Sequence, residues 1–270
     1  LWQKVASHIH EYAGYPRLVG ETGGKNAVVA HSSADQQALL TGLTRGAFEF
    51  QGQKCSAASR AYIPRSIWRT LRDQLAEQVD SLVVGDPAEH ATFLGAVIDE
   101  TAHDRLAGAI TRAKESGTHT VVAGGTTDKE VGYFVRPTVL ETTDPSAFTL
   151  STEFFGPLLT VFVYDDADWA EVLRLADRTS QYGLTASVYA TDRRAISQAV
   201  DVLRDASGYL AINDKPAGMS IGKQQFAGAR ASGTNDKIGS PLALQRWVSG
   251  RFIKENLNPD TDYRYPYLGD

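Results

Sequence analysis

Trp2, Val5, Ile9 and Tyr12 recur at helical spacing and the pattern stops at Gly14-Tyr15-Pro16, which predicts a short first helix. "RLVG" at Arg17 to Gly20 reads as a short strand, and the apolar, branched "NAVVA" at Asn26 to Ala30 as a second. "HSSAD" follows, where Ser or Asp can cap a helix running from about Gln36 to Glu49, and a further helix is expected from about Arg65 to Leu82. From there the pattern alternates. "TAHDRLAGAITRAKESG" is a helix closed by Gly117, "HTVVAGG" a strand, and "YFVRPTVLET" another strand that Pro137 makes irregular. "PLLTVFVYDD", "DWAEVLRLADRTS", "LTASVYAT", "RRAISQAVDVLRDA" and "YLAIND" continue as strand, helix, strand, helix, strand. This series predicts an α/β fold built on a doubly wound, mostly parallel sheet. The end differs: "RFIKEN" reads as one short strand before a polar, aromatic tail without helical period.

Composition narrows the function classes. The 270 residues are 42% hydrophobic and 22% charged, ordinary for a globular protein, and the net charge of −5 argues against nucleic acid as the main partner. Membrane partners are not expected, because no run of about 18 apolar residues occurs. The N-terminus has no positive region followed by an apolar one, so no secretory signal is expected. A start on Leu1-Trp2 in mid-pattern, without Met, suggests a piece of something longer. The single cysteine has no internal disulfide partner and fits a reducing compartment, from which a cytoplasmic location is expected.

Four stretches could carry chemistry. Cys55 lies in "FEFQGQKCSAASR"; by residue type it reads as a buried filler, whereas adjacent Lys54, Gly52 and Ser56 suit a stabilised thiolate, and both readings stand. Glu21 opens "ETGGKN", either a solvated turn or a placed carboxylate. "EFFGPLLTVF" puts Glu153 and two phenylalanines at a strand start, which alone reads as a core-facing turn. "INDKPAGMSIGKQQFAGARASGTND" is a long Gly- and Ser-rich loop of the kind usually kept for function. No histidine lies in a motif that would make it the base of a cofactor-free thiol hydrolase, and no metal site is expected.

Taken in order, "ETGGKN", "GQKCSA", "EFFGP", "INDK" and "FAGARASG" resemble the aldehyde dehydrogenase superfamily over nearly the whole chain. "FEFQGQKCSAASR", "GYFVRPTV", "AINDKPAG" and "GARASGTNDK" are similar to its branch acting on L-glutamate γ-semialdehyde. The resemblance implies NAD-dependent oxidation of that aldehyde to L-glutamate in proline catabolism, a small-molecule substrate and a homo-oligomer. It makes Cys55 the nucleophile and Glu21 the base for hydrolytic water. Glu153 would accept from the nicotinamide ribose with Phe155 beside it. Ser56, Gly218 and its successor Met219 would hold the substrate α-carboxylate, and Phe226 would pack on its aliphatic stem. Met219 stands where the family has a small residue, and Ala227 where it has glycine, which predicts backbone strain at Ala227. The resemblance also divides the chain: 1–22 as a remnant of an NAD-binding domain, 23–248 as the catalytic domain, and 249–270 as an oligomerisation strand and tail. A nucleotide-binding half would lie upstream. Two other readings remain: a catalytically silent fragment or paralogue acting in subunit association, and a general aldehyde dehydrogenase.

Overall fold

The computed structural model describes residues 1–220 and 222–269; Ile221, in the long loop, and Asp270, at the end of the expected tail, lie outside the described residues. Seven strands form the central sheet: β1 (Asn26–Ala30), β2 (Ala58–Pro64), β3 (His119–Ala123), β4 (Thr138–Thr142), β5 (Leu158–Tyr164), β6 (Thr185–Tyr189) and β7 (Tyr209–Ile212). Their spatial order is β7-β6-β1-β2-β5-β4-β3. Every neighbouring pair is parallel except β3 with β4. The mostly parallel sheet is therefore as the pattern predicts. Pro137, which has no N–H for a ladder, interrupts "YFVRPTVLET" between a two-residue strand at Phe134–Val135 and β4.

Both faces of the sheet are covered, which is why β1 is apolar without alternation and buried at every position. Val28 and Ala30 point to one side, where they meet α2 (Gln36–Phe48) and α3 (Arg65–Asp80) through Leu39, Leu43 and Leu71. Ala27 and Val29 point to the other, packing with Leu173 of a helix at Trp169–Arg178 and Ile196 of one at Arg193–Val202. A third cluster joins the helix at Glu100–Glu115, through Leu106 and Ile110, to Leu140 and Leu158. Aspartates start three of these helices: Asp35, Asp99 and Asp192 accept from the amides of Ala38, Ala102 and Arg194. Each such cap is worth roughly 1 kcal/mol.

Three expected elements differ. The first helix is only α1 (Trp2–Ser7), followed by a 3-10 turn at Ile9–Glu11, and no residue of either is buried. Of its apolar face Trp2 lies against Gly20, while Val5 and Ile9 are exposed, so little beyond the helix's own hydrogen bonds extends it. "RLVG" is not a strand: the Gly20 amide goes to Thr234 Oγ1 and Glu21 makes only an isolated bridge with Gly233. "RFIKEN" forms no strand either, because a strand needs a neighbouring edge and none in the described chain reaches it. Phe252 and Ile253 are exposed there.

Candidate active site

Glu21, Cys55 and Glu153 lie in the segments that lead directly into β1, β2 and β5, three adjacent parallel strands. Three loops far apart in sequence therefore open side by side at the N-terminal ends of the central strands. The Cys55 loop is shaped by left-handed backbone at Phe50 (φ 54°) and Gln51 (φ 56°), an uncommon conformation for side-chain-bearing residues. Close approach explains the paired glycines of "ETGGKN". A Cβ on Gly24 would stand 2.1 Å from the Cys55 carbonyl oxygen, and one on Gly23 would stand 2.0 Å from a carboxylate oxygen of Glu153. The Gly24 amide donates to Glu153 Oε1 at 2.8 Å, so one dipeptide touches both neighbouring loops.

The charges are arranged differently from the sequence expectation. Lys54 does not stabilise a thiolate; its Nζ is 3.2 Å from Glu49 Oε2, which neutralises it. Burial pushes the half-buried Cys55 thiol above its ordinary range, and the negative charges of Glu21 and Glu153 push the same way. The N–H groups of Cys55 itself and of Ser56 oppose them. Cys55 is thus a protonated thiol at rest, with two backbone donors aimed at it. Glu21 is exposed at the rim, yet partial desolvation holds its carboxyl above the usual range, with Asp236 adding to the rise, while the Gly228 N–H and Lys237 oppose it. Gly228 donates to it at 3.1 Å. Glu153 is likewise raised, by burial first, against the opposing Gly24 N–H, Lys25 and Arg105.

Several positioning residues carried no sequence signal. Asn26, at the start of β1, donates to the carbonyls of Cys55 (2.7 Å) and Ala57 (2.8 Å) and accepts from the Thr185 amide (3.1 Å), tying the cysteine loop to β1 and β6. Arg60 is buried in β2 and donates to the Lys25 carbonyl and to Tyr62. Lys25 is itself buried with its Nζ 5.3 Å from the centre of the Phe154 ring; desolvation and then Arg60 lower its pKa to about 7, Glu153 opposing. A polar residue beside an apolar run was the one trace these left in the sequence.

The other expected site residues are gathered less tightly. Phe155 is exposed with φ 53°, and its carbonyl accepts from Gln53 of the cysteine loop at 3.4 Å. Ser56 is buried, while Gly218 (φ 82°) and half-buried Met219 lie on the loop after β7; no hydrogen bond joins Ser56 to them among the described residues. Half-buried Phe226 pairs with Ile238, two residues before Gly228. Ala227 is fully buried and is not among the positive-φ residues, so the expected strain is absent. Gly228 is the residue that needs to be small, since its Cβ would stand 2.5 Å from the Ser232 carbonyl oxygen. A cavity of about 530 Å³ runs from Trp2 past Thr22 and Gly23 to Arg230, but neither Cys55 nor Glu153 lines it. The cleft beside Glu153, Lys54 and Phe155 holds only about 10 Å³. The chemistry is therefore read from the three loops and not from the larger cavity.

Comparison with known proteins supplies the relationship. The profile of the aldehyde dehydrogenase family matches residues 3–253. The chain is 46% identical to a mitochondrial delta-1-pyrroline-5-carboxylate dehydrogenase of Bos taurus over 269 residues, covering 99% of this chain and 48% of that protein. It is 47% identical to the mitochondrial enzyme of that name from Dictyostelium discoideum over 272 residues, covering 100% and 49%. The crystal structure of the Mycobacterium tuberculosis delta-pyrroline-5-carboxylate dehydrogenase bound with NAD superposes with a TM-score of 0.90 at 49% identity, covering 99% of this chain and 49% of that one. The chain spans about half the length of the curated relatives it matches. These relatives correct the cytoplasmic location: the bovine and Dictyostelium proteins are mitochondrial, and a lone reduced thiol does not distinguish one reducing compartment from another.

Proposed function

This chain belongs to the aldehyde dehydrogenase family, and we propose that it is the catalytic part of an enzyme that oxidises L-glutamate γ-semialdehyde to L-glutamate with NAD⁺. The observation that supports this reading is the convergence of Cys55, Glu21 and Glu153 at the starts of three adjacent parallel strands. In this proposal the Cys55 thiol first gives its proton to solvent, the thiolate Sγ then attacks the aldehyde carbon, and the carbonyl oxygen that gains charge is met by the Cys55 backbone N–H. A preorganised donor of this kind is worth roughly 3–4 kcal/mol. NAD⁺, when bound, supplies the acceptor for the hydride. Water then opens the thioester on Cys55 and gives its proton to Glu21, whose pKa partial desolvation raises, the direction that strengthens a general base.

Two residues fit the nicotinamide end of the cofactor. The Glu153 carboxylate is fixed by the Gly24 amide through one oxygen and keeps acceptor capacity for a ribose hydroxyl, and the exposed Phe155 ring stands beside it. Residues 1–22 are read as a remnant of the NAD-binding domain, 23–248 as the catalytic domain and 249–270 as a segment for association between subunits. The exposed Phe252, Ile253, Leu257 and Tyr263 favour that last role and a homo-oligomer. The substrate α-carboxylate is assigned to Ser56 and the backbone of Gly218 and Met219, and its aliphatic stem to Phe226.

The test is substrate choice in the full-length protein. Glutamate semialdehyde should be preferred over pentanal by roughly 10⁴ in kcat/KM, because buried donors left unpaired reject the analogue that lacks the carboxylate. Cys55→Ala should abolish oxidation of both while leaving NAD⁺ binding nearly unchanged. Equal rates on the two aldehydes would identify a general aldehyde dehydrogenase instead, and turnover by the Ala variant would remove Cys55 from the chemistry.

A further inference from the structure

Glu49 closes the end of α2, just before the left-handed turn that delivers Cys55. Its carboxylate oxygen Oε2 accepts from two lysines, Lys54 at 3.2 Å and Lys215 at 2.5 Å, and all three side chains are largely shielded, between 22% and 29% exposed. Lys54 is the immediate neighbour of Cys55. Lys215 belongs to the loop after β7, on the stretch that carries Gly218 and Met219. The same lysine reaches along its own loop: a Cβ on Gly218 would lie 3.4 Å from both Cε and Nζ of Lys215. The seam is continued by packing, since the helix position Gly46 faces the Cβ of Lys215 at 3.4 Å and Pro216 at 3.5 Å from where its own Cβ would stand. Burial would raise the Glu49 carboxyl, but the hydrogen bonds from Lys215 and Lys54 outweigh it and hold it below its usual range, so the group is ionised at neutral pH.

From this geometry, and resting on the function proposed above, we infer that Lys215 is a positioning residue for substrate selection: through Glu49 it clasps the Gly218–Met219 loop to the cysteine loop, setting the distance between the thiol and the place where the substrate carboxylate is held. Among the described residues no strand pairing joins the two segments the clasp spans, and the loop's backbone turns through left-handed conformations at Asn213 and Gly218. The start of the loop is tied to the end of β6 and the residue after it, through Asn213 with Val188 and Ala190, and to Ser187 through the Asp214 carbonyl; among the described residues the Lys215–Glu49 pair is the hydrogen bond that links the loop to the segment leading to Cys55. A substrate carrying both an aldehyde and a carboxylate reads this separation; an aldehyde alone does not.

The experiment is a steady-state comparison of Lys215→Met, Lys215→Arg and Glu49→Gln with the parent in the full-length protein, each on glutamate semialdehyde and on pentanal. Lys215→Met should raise KM for glutamate semialdehyde roughly tenfold, as expected for a small misplacement of a binding group, with kcat and all pentanal parameters within about twofold of the parent. Lys215→Arg, which keeps a donor on a long stem, should restore most of the loss. Glu49→Gln separates clasping from simple attraction. Loss of the clasp raises KM for the carboxylated substrate; if Lys215 acted only as a free positive charge, removing its counter-ion would lower that KM, and this result would overturn the inference. So would equal losses on both aldehydes, or no loss in any variant. A parent that does not discriminate between the two aldehydes would refute the proposed function itself, whereas a discriminating parent with insensitive variants would refute the clasp alone.

Discussion

The thiol of Cys55 stands between two carboxylates, and that placement sets the sign of its pH response. With its pKa raised by burial and then by Glu21 and Glu153, the thiolate fraction at neutral pH is below that of a free cysteine, and it grows as pH rises through and beyond the ordinary thiol range. Alkylation of Cys55 by iodoacetamide should therefore be slower than that of a free thiol at pH 7 and should climb with pH. Glu21→Gln removes one of the opposing charges, so it should speed alkylation at pH 7.5 by roughly two- to tenfold even as it slows thioester hydrolysis. A variant that reacts more slowly than the parent would place Glu21 as the base of the thiol. Residue type alone left Cys55 a buried filler and Glu21 a solvated turn; it was the order of the motifs, through the family resemblance, that pointed to both. Adjacency in sequence misjudged Lys54, because the charge that captures it, Glu49, becomes its neighbour only after the chain turns at Phe50 and Gln51.

At the scale of elements, the site depends on what holds the cysteine loop against β1 and β6. Asn26 is 2% exposed and makes three hydrogen bonds to groups that Ala could not satisfy. Asn26→Ala should cost roughly 2–4 kcal/mol, read as a lower denaturant midpoint, and should lower kcat more than a core truncation of equal cost elsewhere. Asn26 was invisible in the sequence because Thr185, its partner, is remote along the chain. The buried strands were legible for the opposite reason: β1 after Asn26 is apolar and β5 is so but for Thr160 and the Tyr164 hydroxyl, and their neighbours are supplied by the same sheet. "RLVG" and "RFIKEN" have strand-like composition too, but composition does not provide a second edge: "RLVG" meets one only at its end, where Gly20 and Glu21 face Gly233 and Thr234, and "RFIKEN" meets none in the described chain. Ala227 was misread because its glycine-like context suggested a left-handed residue, whereas the requirement for smallness falls one position later, at Gly228.

For the molecule as a whole, the two groups assigned to the cofactor, Glu153 and Phe155, meet one end of NAD⁺ only. Pyrophosphate and adenosine ordinarily gain their hold from a βαβ unit and a helix N-terminus. The 270-residue chain expressed alone should show no NAD⁺-dependent oxidation of glutamate semialdehyde and weak NAD⁺ binding at best. It should retain slow hydrolysis of an activated ester, which needs Cys55, a backbone donor and Glu21 but no nicotinamide. Ester hydrolysis that survives iodoacetamide would assign that activity to another group. Val5 of α1, Ile9 of the following 3-10 turn, Trp247 just before the tail and Phe252 within it are exposed, so the isolated chain should also associate with itself at high concentration.

The three loops that gather Glu21, Cys55 and Glu153 begin strands that are hydrogen-bonded neighbours, and neighbouring strands lie about 4.8 Å apart. The sheet is thus the ruler on which the reacting groups are marked off, and its graduations are ladder bonds and not side-chain contacts. An overlarge residue wedged beneath β1 and β2, at Val28 or Ala61 for instance, would stretch the ruler and misplace thiol against carboxylate without altering any group that touches substrate. Such variants would be lost to catalysis while every catalytic side chain remained in place.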